Sequence, residues 1–301
     1  MKDHLLTEER NSNSLEIDLQ PTEEVLRIIN REDQTLGLIV SREIPHIAKA
    51  VDLVVQSLQA GGRLFYVGAG TSGRLGVLDA SECPPTFNVS PLQIQGIIAG
   101  GAKALSKAME ESEDNEEAGA ATLKRRKLSA KDIVIGVAAS GNTPFTLGAM
   151  SYARSVGSNV ISITSNPRSK MAKIAAVSIA PIVGPEILTG STRMKAGTAQ
   201  KMILNMISTT AMIRLGYVYS NLMINVRMHN EKLRDRGRKI IMAATGVDDT
   251  RARRVLKESK GNLKLAVIMA KCGLSRAESM KRLKAAHFDL RVALGERRNL
   301  K

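Results

Sequence analysis

Apolar runs and polar breaks alternate along the first 220 residues. Five short apolar runs have the length and the β-branched content of buried strands. They occupy residues 63–67, 92–98, 132–138, 159–164 and 177–183. The stretches between them have helical composition, including residues 101–123, 143–156 and 170–176. Strands that alternate with helices form βαβ units, so the pattern predicts an α/β fold with a doubly wound, parallel, five-stranded sheet flanked by helices.

Helical periodicity continues on both sides of this predicted sheet. Upstream, residues 44–58 carry apolar side chains at helical spacing, and downstream a long helix is predicted from Arg193 to Leu215. After a polar stretch, glycines separate four short helical patterns, which predict a three-helix module of the ubiquitin-associated type. We therefore divide the chain into four parts. These are an N-terminal helical segment (1–50), an α/β domain (51–220), a connector (221–238) and a small helical bundle (239–301).

The net charge of +15 raises the question of nucleic-acid binding. Residues 231–301 hold 20 Lys and Arg against 8 Asp and Glu, so +12 of that charge belongs to the C-terminal region. Phe288 is the one aromatic residue there, whereas proteins that bind single strands stack bases on aromatic rings. A solvated helical face explains the basic composition better, and we expect no nucleic-acid partner.

The positions of the cysteines and histidines bear on whether the protein has disulfides or a metal site. The two cysteines, Cys83 and Cys272, are far apart and the four histidines are scattered. This distribution predicts no disulfide framework, no zinc site and no other metal cofactor.

Residues 1–20 lack the apolar stretch of a signal peptide, and no apolar run approaches 18 residues. We expect a cytoplasmic protein that needs no cofactor and does not contact a membrane.

Two glycine loops rich in Ser and Thr are the most informative segments, because each directly follows a predicted strand. The first is Gly68–Arg74 (GAGTSGR), and the second is Ala139–Pro144 (ASGNTP). In a parallel sheet, ligands bind at the carboxyl ends of the strands, where loop amides and helix N-termini present unpaired N–H groups to anions. Both loops are therefore predicted to lie at the ligand-binding edge of the sheet.

The first loop has the spacing GxGxxG, which also occurs in dinucleotide-binding proteins. Those proteins need an acidic residue about 20 positions further on, at the end of the next strand, to bind the ribose hydroxyls. No Asp or Glu occurs between Glu82 and Glu110 in this chain. The sequence therefore argues against a nicotinamide dinucleotide.

What both loops offer instead is hydroxyl groups beside backbone amides. Short hydroxyl side chains and amides suit a compact phosphate dianion, which accepts hydrogen bonds from several directions. The same side chains are also typical of helix N-caps, but two such loops on one sheet favour a phosphate site. The candidate binding residues are Gly70, Thr71, Ser72, Ser140, Gly141, Asn142 and Thr143.

Two longer motifs carry a resemblance to a known family. Gly68–Thr86 (GAGTSGRLGVLDASECPPT) resembles the corresponding segment of N-acetylmuramic acid 6-phosphate etherases, which contain a sugar isomerase (SIS) domain. Gly184–Lys201 (GPEILTGSTRMKAGTAQK) resembles the signature shared by these etherases and the glucokinase regulatory protein. The similarity covers nearly the whole chain and implies a SIS fold that binds a sugar phosphate. Asn142 is a departure, since etherases often carry Arg at this position.

The resemblance implies a lyase reaction in amino-sugar catabolism. These etherases cleave the D-lactyl ether at C3 of N-acetylmuramic acid 6-phosphate, giving N-acetylglucosamine 6-phosphate and D-lactate. Ring opening exposes an aldehyde that acidifies the C2 proton. A base then removes this proton, an acid protonates the departing lactate oxygen, and water adds to the conjugated double bond. One ionised and one protonated carboxyl group are sufficient for these steps.

Two glutamates match the active-site glutamates of that family. Glu82 precedes Cys83-Pro84-Pro85, a predicted stiff break in the chain, and we assign it protonation of the leaving lactate. Glu113 is assigned the C2 proton. By pattern alone Glu113 is less distinctive, because it lies in an acidic run, which is usually a solvated face.

Residues near the second motif complete the candidate site. Lys195 lies at the start of a predicted helix and could complete an anion site or pair with a carboxylate. Glu186 is expected to orient the sugar hydroxyls or Lys195. We also expect a homodimer, because SIS domains commonly dimerise.

A sensor that binds a sugar phosphate without catalysis remains the alternative, since binding loops alone do not separate the two functions. Such a sensor would resemble the glucokinase regulatory protein or a SIS-type transcription regulator. The pair of glutamates favours the enzyme, because a sensor does not need two positioned carboxyl groups.

Overall fold

The computed structural model describes residues 6–226, 228 and 231–296, which divide into two compact units. The first unit comprises the residues up to Ser81 together with Pro91–Thr209. The second comprises Glu82–Ser90 and the residues from Thr210 onwards.

The first unit contains one parallel sheet of five strands, as predicted. Its strands are β1 (Leu64–Gly68), β2 (Ile94–Ile98), β3 (Ile133–Val137), β4 (Asn159–Ile163) and β5 (Val177–Ile179). Their order across the sheet is β2-β1-β3-β4-β5, with all neighbours parallel. The last predicted strand was too long, because Pro181 has no N–H to donate to a neighbouring strand.

Burial explains why the strand sequences are apolar throughout instead of alternating. Every residue of β1 and of β3 is buried, as expected for a parallel sheet that is covered on both faces. One cluster of the core joins Phe65 and Val67 on β1 to Val134 on β3 and to Met150 on a covering helix.

Helices cover the sheet and precede it in the chain. They are α1 (Thr22–Gln34), α2 (Leu36–Arg42), α3 (Ile44–Gln59), α4 (Gly70–Phe87), α5 (Glu116–Arg125), α6 (Pro144–Ser155), α7 (Lys170–Ile174) and α8 (Lys195–Arg214). Short 3-10 helices lie at Leu6–Glu8, Ser12–Ser14, Ile17–Leu19, Gly101–Leu105 and Glu110–Ser112. Within the stretch 101–123, which has helical composition, the α-helix begins only at Glu116, and Asn115 caps it by accepting a hydrogen bond from the Ala118 amide.

The predicted break at Cys83-Pro84-Pro85 is also absent, because α4 continues through both prolines to Phe87. Each proline removes one backbone donor, but its fixed φ is compatible with a helix. The Asn88 amide donates to the Pro84 carbonyl at 2.8 Å, and Asn88 has a φ of +55°, a left-handed conformation typical of the residue after a helix.

The second unit is helical around its own core. Its helices are α9 (Glu231–Thr245), α10 (Asp249–Glu258), α11 (Leu263–Cys272), α12 (Arg276–Ala285) and α13 (Leu290–Leu294). Asp248, Asn262, Ser275 and Asp289 cap α10 to α13 with their side chains. Helix α9 begins within the stretch that we interpreted as a connector, because Gly237, Ile240 and Ile241 form a buried helical face. The assignment to the ubiquitin-associated type stays a prediction.

Among the residues described, no helix is both long enough and apolar enough to cross a membrane.

Candidate functional site

The two glycine loops leave neighbouring strands at the same edge of the sheet. Strands β1 and β3 pair with Gly68 opposite Val137, and the first loop follows β1 while the second follows β3. The strand order reverses between these two strands, since β2 lies on one side and β4 on the other. Crevices at such a switch point are the usual ligand sites of open parallel sheets.

Glycine allows the first loop to turn closely from β1 into α4. A Cβ atom on Gly73 would lie 2.7 Å from the Gly68 carbonyl oxygen, and Gly70 has a φ of +51°. The loop presents Thr71 at the start of α4, and the Thr71 hydroxyl has no hydrogen-bond partner in the described residues. The Ser72 hydroxyl, by contrast, donates to Gln200 Oε1 at 2.8 Å.

The first loop lines a cavity of about 440 Å³ in the first unit. Two other segments complete its walls, one around Glu113 and one in the turn before α8. The lining residues of interest are Gly70, Thr71, Arg74, Glu110, Glu113 and Gly190–Arg193. Glu113 thus lies in one cavity with Gly70 and Thr71.

Backbone hydrogen bonds fix the position of Glu113. Its amide donates to the Glu110 carbonyl at 2.9 Å, and its own carbonyl accepts from the Phe145 amide at 2.9 Å. Phe145 lies in the first turn of α6, directly after the second glycine loop. The carboxylate extends to the first loop, because a Cβ atom on Gly70 would lie 3.0 Å from Glu113 Oε1. Glu113 therefore bridges the first loop and the start of α6, which directly follows the second loop.

Close packing of α5 against α6 supports this arrangement. A Cβ atom on Gly119 would lie 1.9 Å from the Phe145 carbonyl oxygen, and one on Gly148 would lie 2.0 Å from the Glu116 carbonyl oxygen. Both positions therefore require glycine. Since Glu113 lies just before α5 and bonds to α6, the separation of these helices sets where Glu113 lies.

The half-buried Glu113 carboxyl has a perturbed acidity. Burial raises the pKa of Glu113 above its ordinary value, and the charges of Asp114 and Glu110 raise the pKa further. The Arg74 charge acts in the opposite direction. A carboxyl group with a raised pKa in a cavity is a candidate for proton transfer.

Most polar groups of the second loop have partners within the protein. The Ser140 hydroxyl accepts from the Asn142 amide at 3.2 Å, and Asn142 Oδ1 accepts from the Lys170 amide at 3.0 Å. Gly141 has a φ of +67°, and a Cβ atom there would lie 2.3 Å from Ser169 Oγ. Thr143 is the N-cap residue of α6 without a side-chain capping bond. The cavity beside the first loop is lined by none of these residues.

Glu186 and Lys195 are buried beneath the start of α8. The Glu186 carboxylate accepts from the backbone amides of Lys195 and Ala196, both at 2.9 Å, and so caps α8. Lys195 Nζ lies 2.5 Å from Glu32 Oε2 and donates to the Pro185 carbonyl at 3.1 Å. Only 4% of Lys195 and none of Glu186 is exposed. The alternative that Lys195 pairs with a carboxylate is therefore the one that the structure shows.

Sequence reasoning did not select Ser191 and Thr192, which line the cavity together with Arg193. The signal for them was present in Gly190–Arg193, a run of hydroxyl and cationic side chains immediately before a helix. Arg193 lies two residues before Lys195 and is exposed, whereas Lys195 is buried.

The comparisons with known proteins decide the family. A model of the glucokinase regulatory protein N-terminal SIS domain matches residues 46–154, and a SIS domain model matches residues 109–210. The N-acetylmuramic acid 6-phosphate etherase of Aeromonas hydrophila is 52% identical over 94% of this chain and 95% of its own. That of Symbiobacterium thermophilum is 54% identical over 90% of each chain. The chain belongs to the N-acetylmuramic acid 6-phosphate etherase family.

Solved structures that resemble this chain include a sugar-phosphate isomerase. The crystal structure of a putative sugar-phosphate isomerase from Listeria monocytogenes covers 66% of this chain and 94% of its own, with 18% identity and a TM-score of 0.47.

The second glutamate that we matched to the etherase family, Glu82, belongs to the second unit. It lies on α4, eight residues beyond Arg74, and its side chain is exposed. The described residues contain no group of three or more His, Cys, Asp or Glu that could hold a metal ion.

Proposed function

We propose that this protein is an N-acetylmuramic acid 6-phosphate etherase, a carbon–oxygen lyase. It cleaves the D-lactyl ether at C3 of its substrate and releases N-acetylglucosamine 6-phosphate and D-lactate. The observation that carries this proposal is the identity of about half of all residues to etherases over nearly their full length. A half-buried glutamate in one cavity with a hydroxyl-bearing glycine loop supports it.

In this proposal Glu113 is the base that acts at C2 of the open-chain sugar. Its carboxylate takes the C2 proton, and the electron pair of the C–H bond forms a double bond between C2 and C3 as the C3–O bond breaks. The raised pKa of Glu113 supports this role, because a carboxylate with a higher pKa is a stronger base.

Glu82 is proposed to donate the proton that the departing lactate oxygen needs. Its match to the family motif supports this role. Water then adds across the double bond, with hydroxide at C3 and a proton at C2. The number of atoms balances, since one water enters and one lactate leaves.

The 6-phosphate is proposed to bind at the edge of the sheet where the glycine loops lie. The free amides at the start of α4, the Thr71 hydroxyl and the cations Arg74 and Arg193 support an anion there. Of the second loop, the hydroxyls of Ser140 and Thr143 can still donate to a ligand. Contacts from Ser72, Gly141, Asn142, Glu186 or Lys195 to the ligand stay predictions, as does the absence of a cofactor.

We further propose a homodimer in the cytoplasm. Exposed apolar side chains such as Leu78 on α4 and Met206 on α8, which are 49% and 36% exposed, support a subunit contact. Sedimentation of the purified protein tests the dimer, and a monomer at micromolar concentration would contradict it.

The reaction is tested by incubation with N-acetylmuramic acid 6-phosphate in deuterated water. We expect release of D-lactate and one deuterium at C2 of N-acetylglucosamine 6-phosphate. The variant Glu113→Gln is expected to release lactate at least about 100-fold more slowly, because amides do not accept protons as carboxylates do. If the wild-type protein binds the sugar phosphate without releasing lactate, the protein is a sensor and not a lyase.

A further inference from the structure

The N-terminal segment contacts the stretch of chain that leads into the cavity. The Gly190 amide donates to the Thr7 carbonyl at 3.2 Å, and the Ser14 hydroxyl donates to the Ile187 carbonyl at 2.7 Å. Asn11 Nδ2 donates to the Pro185 carbonyl at 3.3 Å. We call Thr7, Asn11 and Ser14 the N-terminal clamp. All three residues are buried, although they lie in or next to short 3-10 helices near the start of the chain.

A buried ion pair lies beneath the N-terminal clamp. Glu32 Oε2 accepts from both Lys195 Nζ and Asn11 Nδ2, at 2.5 and 3.1 Å, while Glu32 Oε1 accepts from Asn13 Nδ2 at 2.8 Å. Burial raises the pKa of Glu32, but the hydrogen bonds from Lys195, Asn13 and Asn11 outweigh it and hold the pKa below its ordinary value. Lys195 Nζ and Asn11 Nδ2 therefore share the Glu32 carboxylate and also share the Pro185 carbonyl.

The stretch held in this way has little structure of its own. Between β5 and α8 the chain forms neither helix nor strand, and Gly190 has a φ of +78°. The bonds within the turn are short-range, from the Ser191 amide to the Leu188 carbonyl and from the Thr192 amide to the Gly190 carbonyl. The long-range hydrogen bonds of residues 184–193 run to the N-terminal clamp and to the ion pair, whereas the Ala180 amide, next to β5, donates to Glu43 Oε2 at 3.1 Å. The turn then lines the cavity with Gly190–Arg193.

We propose that the N-terminal clamp and the Glu32–Lys195 pair position the Gly190–Arg193 turn for contact with the substrate. Their role for the substrate rests on the proposed function. In this proposal Lys195 and Asn11 are positioning residues, which act on the substrate through the turn. A turn that is not held would have to be ordered by the ligand itself, which weakens binding without changing the reacting groups.

Two asparagines on the clamp side provide a matched pair of variants. Asn11→Ser and Asn13→Ser each remove one amide donor to Glu32, but only Asn11→Ser also removes the bond to Pro185. Serine at position 11 keeps an oxygen that can cap the following turn, as Asn11 Oδ1 does for the Asn13 amide. Ser14→Ala removes the bond to Ile187 and serves as a second test of the clamp.

Hydrogen exchange and steady-state kinetics are measured on all three full-length variants. We expect Asn11→Ser and Ser14→Ala to speed amide exchange over residues 184–194 and to raise KM about tenfold, with kcat within about twofold of wild type. Asn13→Ser is expected to change neither by more than about twofold. Equal changes in Asn11→Ser and Asn13→Ser would overturn the proposal, because they would show a loss of stability and not of positioning.

The hydrogen-exchange measurement tests the role of the N-terminal clamp independently of the proposed reaction. If the wild-type protein released no lactate, the proposed function would fail, and affinity for N-acetylglucosamine 6-phosphate by calorimetry would replace KM. Faster exchange over 184–194 with unchanged affinity or KM would overturn the substrate role of the clamp.

Discussion

The first and the second glycine loop start from the same sequence pattern and are used differently. The first loop lines the cavity and leaves the Thr71 hydroxyl without a partner in the described residues. The second loop holds its own neighbours, since Asn142 binds the start of α7 and Phe145, just beyond it, binds Glu113. Two loops at one edge of a sheet can therefore have different roles. The first lines the cavity, and the second leads into the helix that binds Glu113.

Gly119→Ala tests whether the start of α6, which follows the second loop, supports Glu113, and it has the largest expected effect. The new Cβ would collide with the Phe145 carbonyl, so α5 has to move away from α6 and Glu113 moves with it. We expect about 1–3 kcal/mol lower unfolding free energy. We also expect kcat to fall about 100-fold, as for a reacting group displaced by about 1 Å.

Gly37→Ala is the matched control for this substitution. Gly37 lies in α2, and a Cβ atom there would meet nothing within 4 Å. It should leave kcat unchanged and raise stability slightly. If Gly119→Ala lowered stability but kept kcat, the spacing of α5 and α6 would not position Glu113.

Exchange of a hydroxyl for a methyl group in each loop sharpens the comparison. Thr71→Val removes a hydroxyl that lines the cavity, and Thr143→Val removes one that does not. The expected rise in KM is about tenfold for Thr71→Val and under about threefold for Thr143→Val, from steady-state lactate release. Equal effects would mean that both loops bind the phosphate, as the sequence alone predicts.

The smallest expected effect is a shift in the pH profile of kcat/KM when the charge of Glu110 is removed. Glu110 raises the pKa of Glu113, so Glu110→Gln should lower that pKa. The base acts in its ionised form, and the acid limb of kcat/KM should therefore move to lower pH. Glu117→Gln, which removes a carboxylate from α5 that does not contribute to this shift, is the control. A limb that moves equally in both variants would exclude Glu113 as its source.

The sheet and the position of the loops follow from the sequence for a simple reason. Strands buried on both faces have to be apolar along their whole length, and parallel topology brings their carboxyl ends to one edge. The loops could thus be located without knowledge of any side-chain contact. The end of β5 could have been located as well, since Pro181 was visible.

The partners of the candidate side chains could not be predicted in this way. Lys195 and Arg193 are two residues apart and chemically similar, yet one is buried against Glu32 and the other lines the cavity. The pairing of Lys195 with Glu32 joins residues 163 positions apart, and no local pattern specifies it. The sequence does not distinguish the hydroxyl residues of the second loop from those of the first. Only the structure shows which of them line the cavity and which are bonded to neighbouring backbone.

The N-terminal clamp joins residues that are far apart in the chain, and this affects the order in which the protein folds during synthesis. Asn11 and Pro185 are 174 residues apart in the chain, so their bond forms only after the intervening sheet has brought the two ends together. During synthesis the early segment emerges long before its partner does. The ability to bind substrate should consequently be acquired late, after the sheet has folded, and a chain interrupted before residue 185 would lack it.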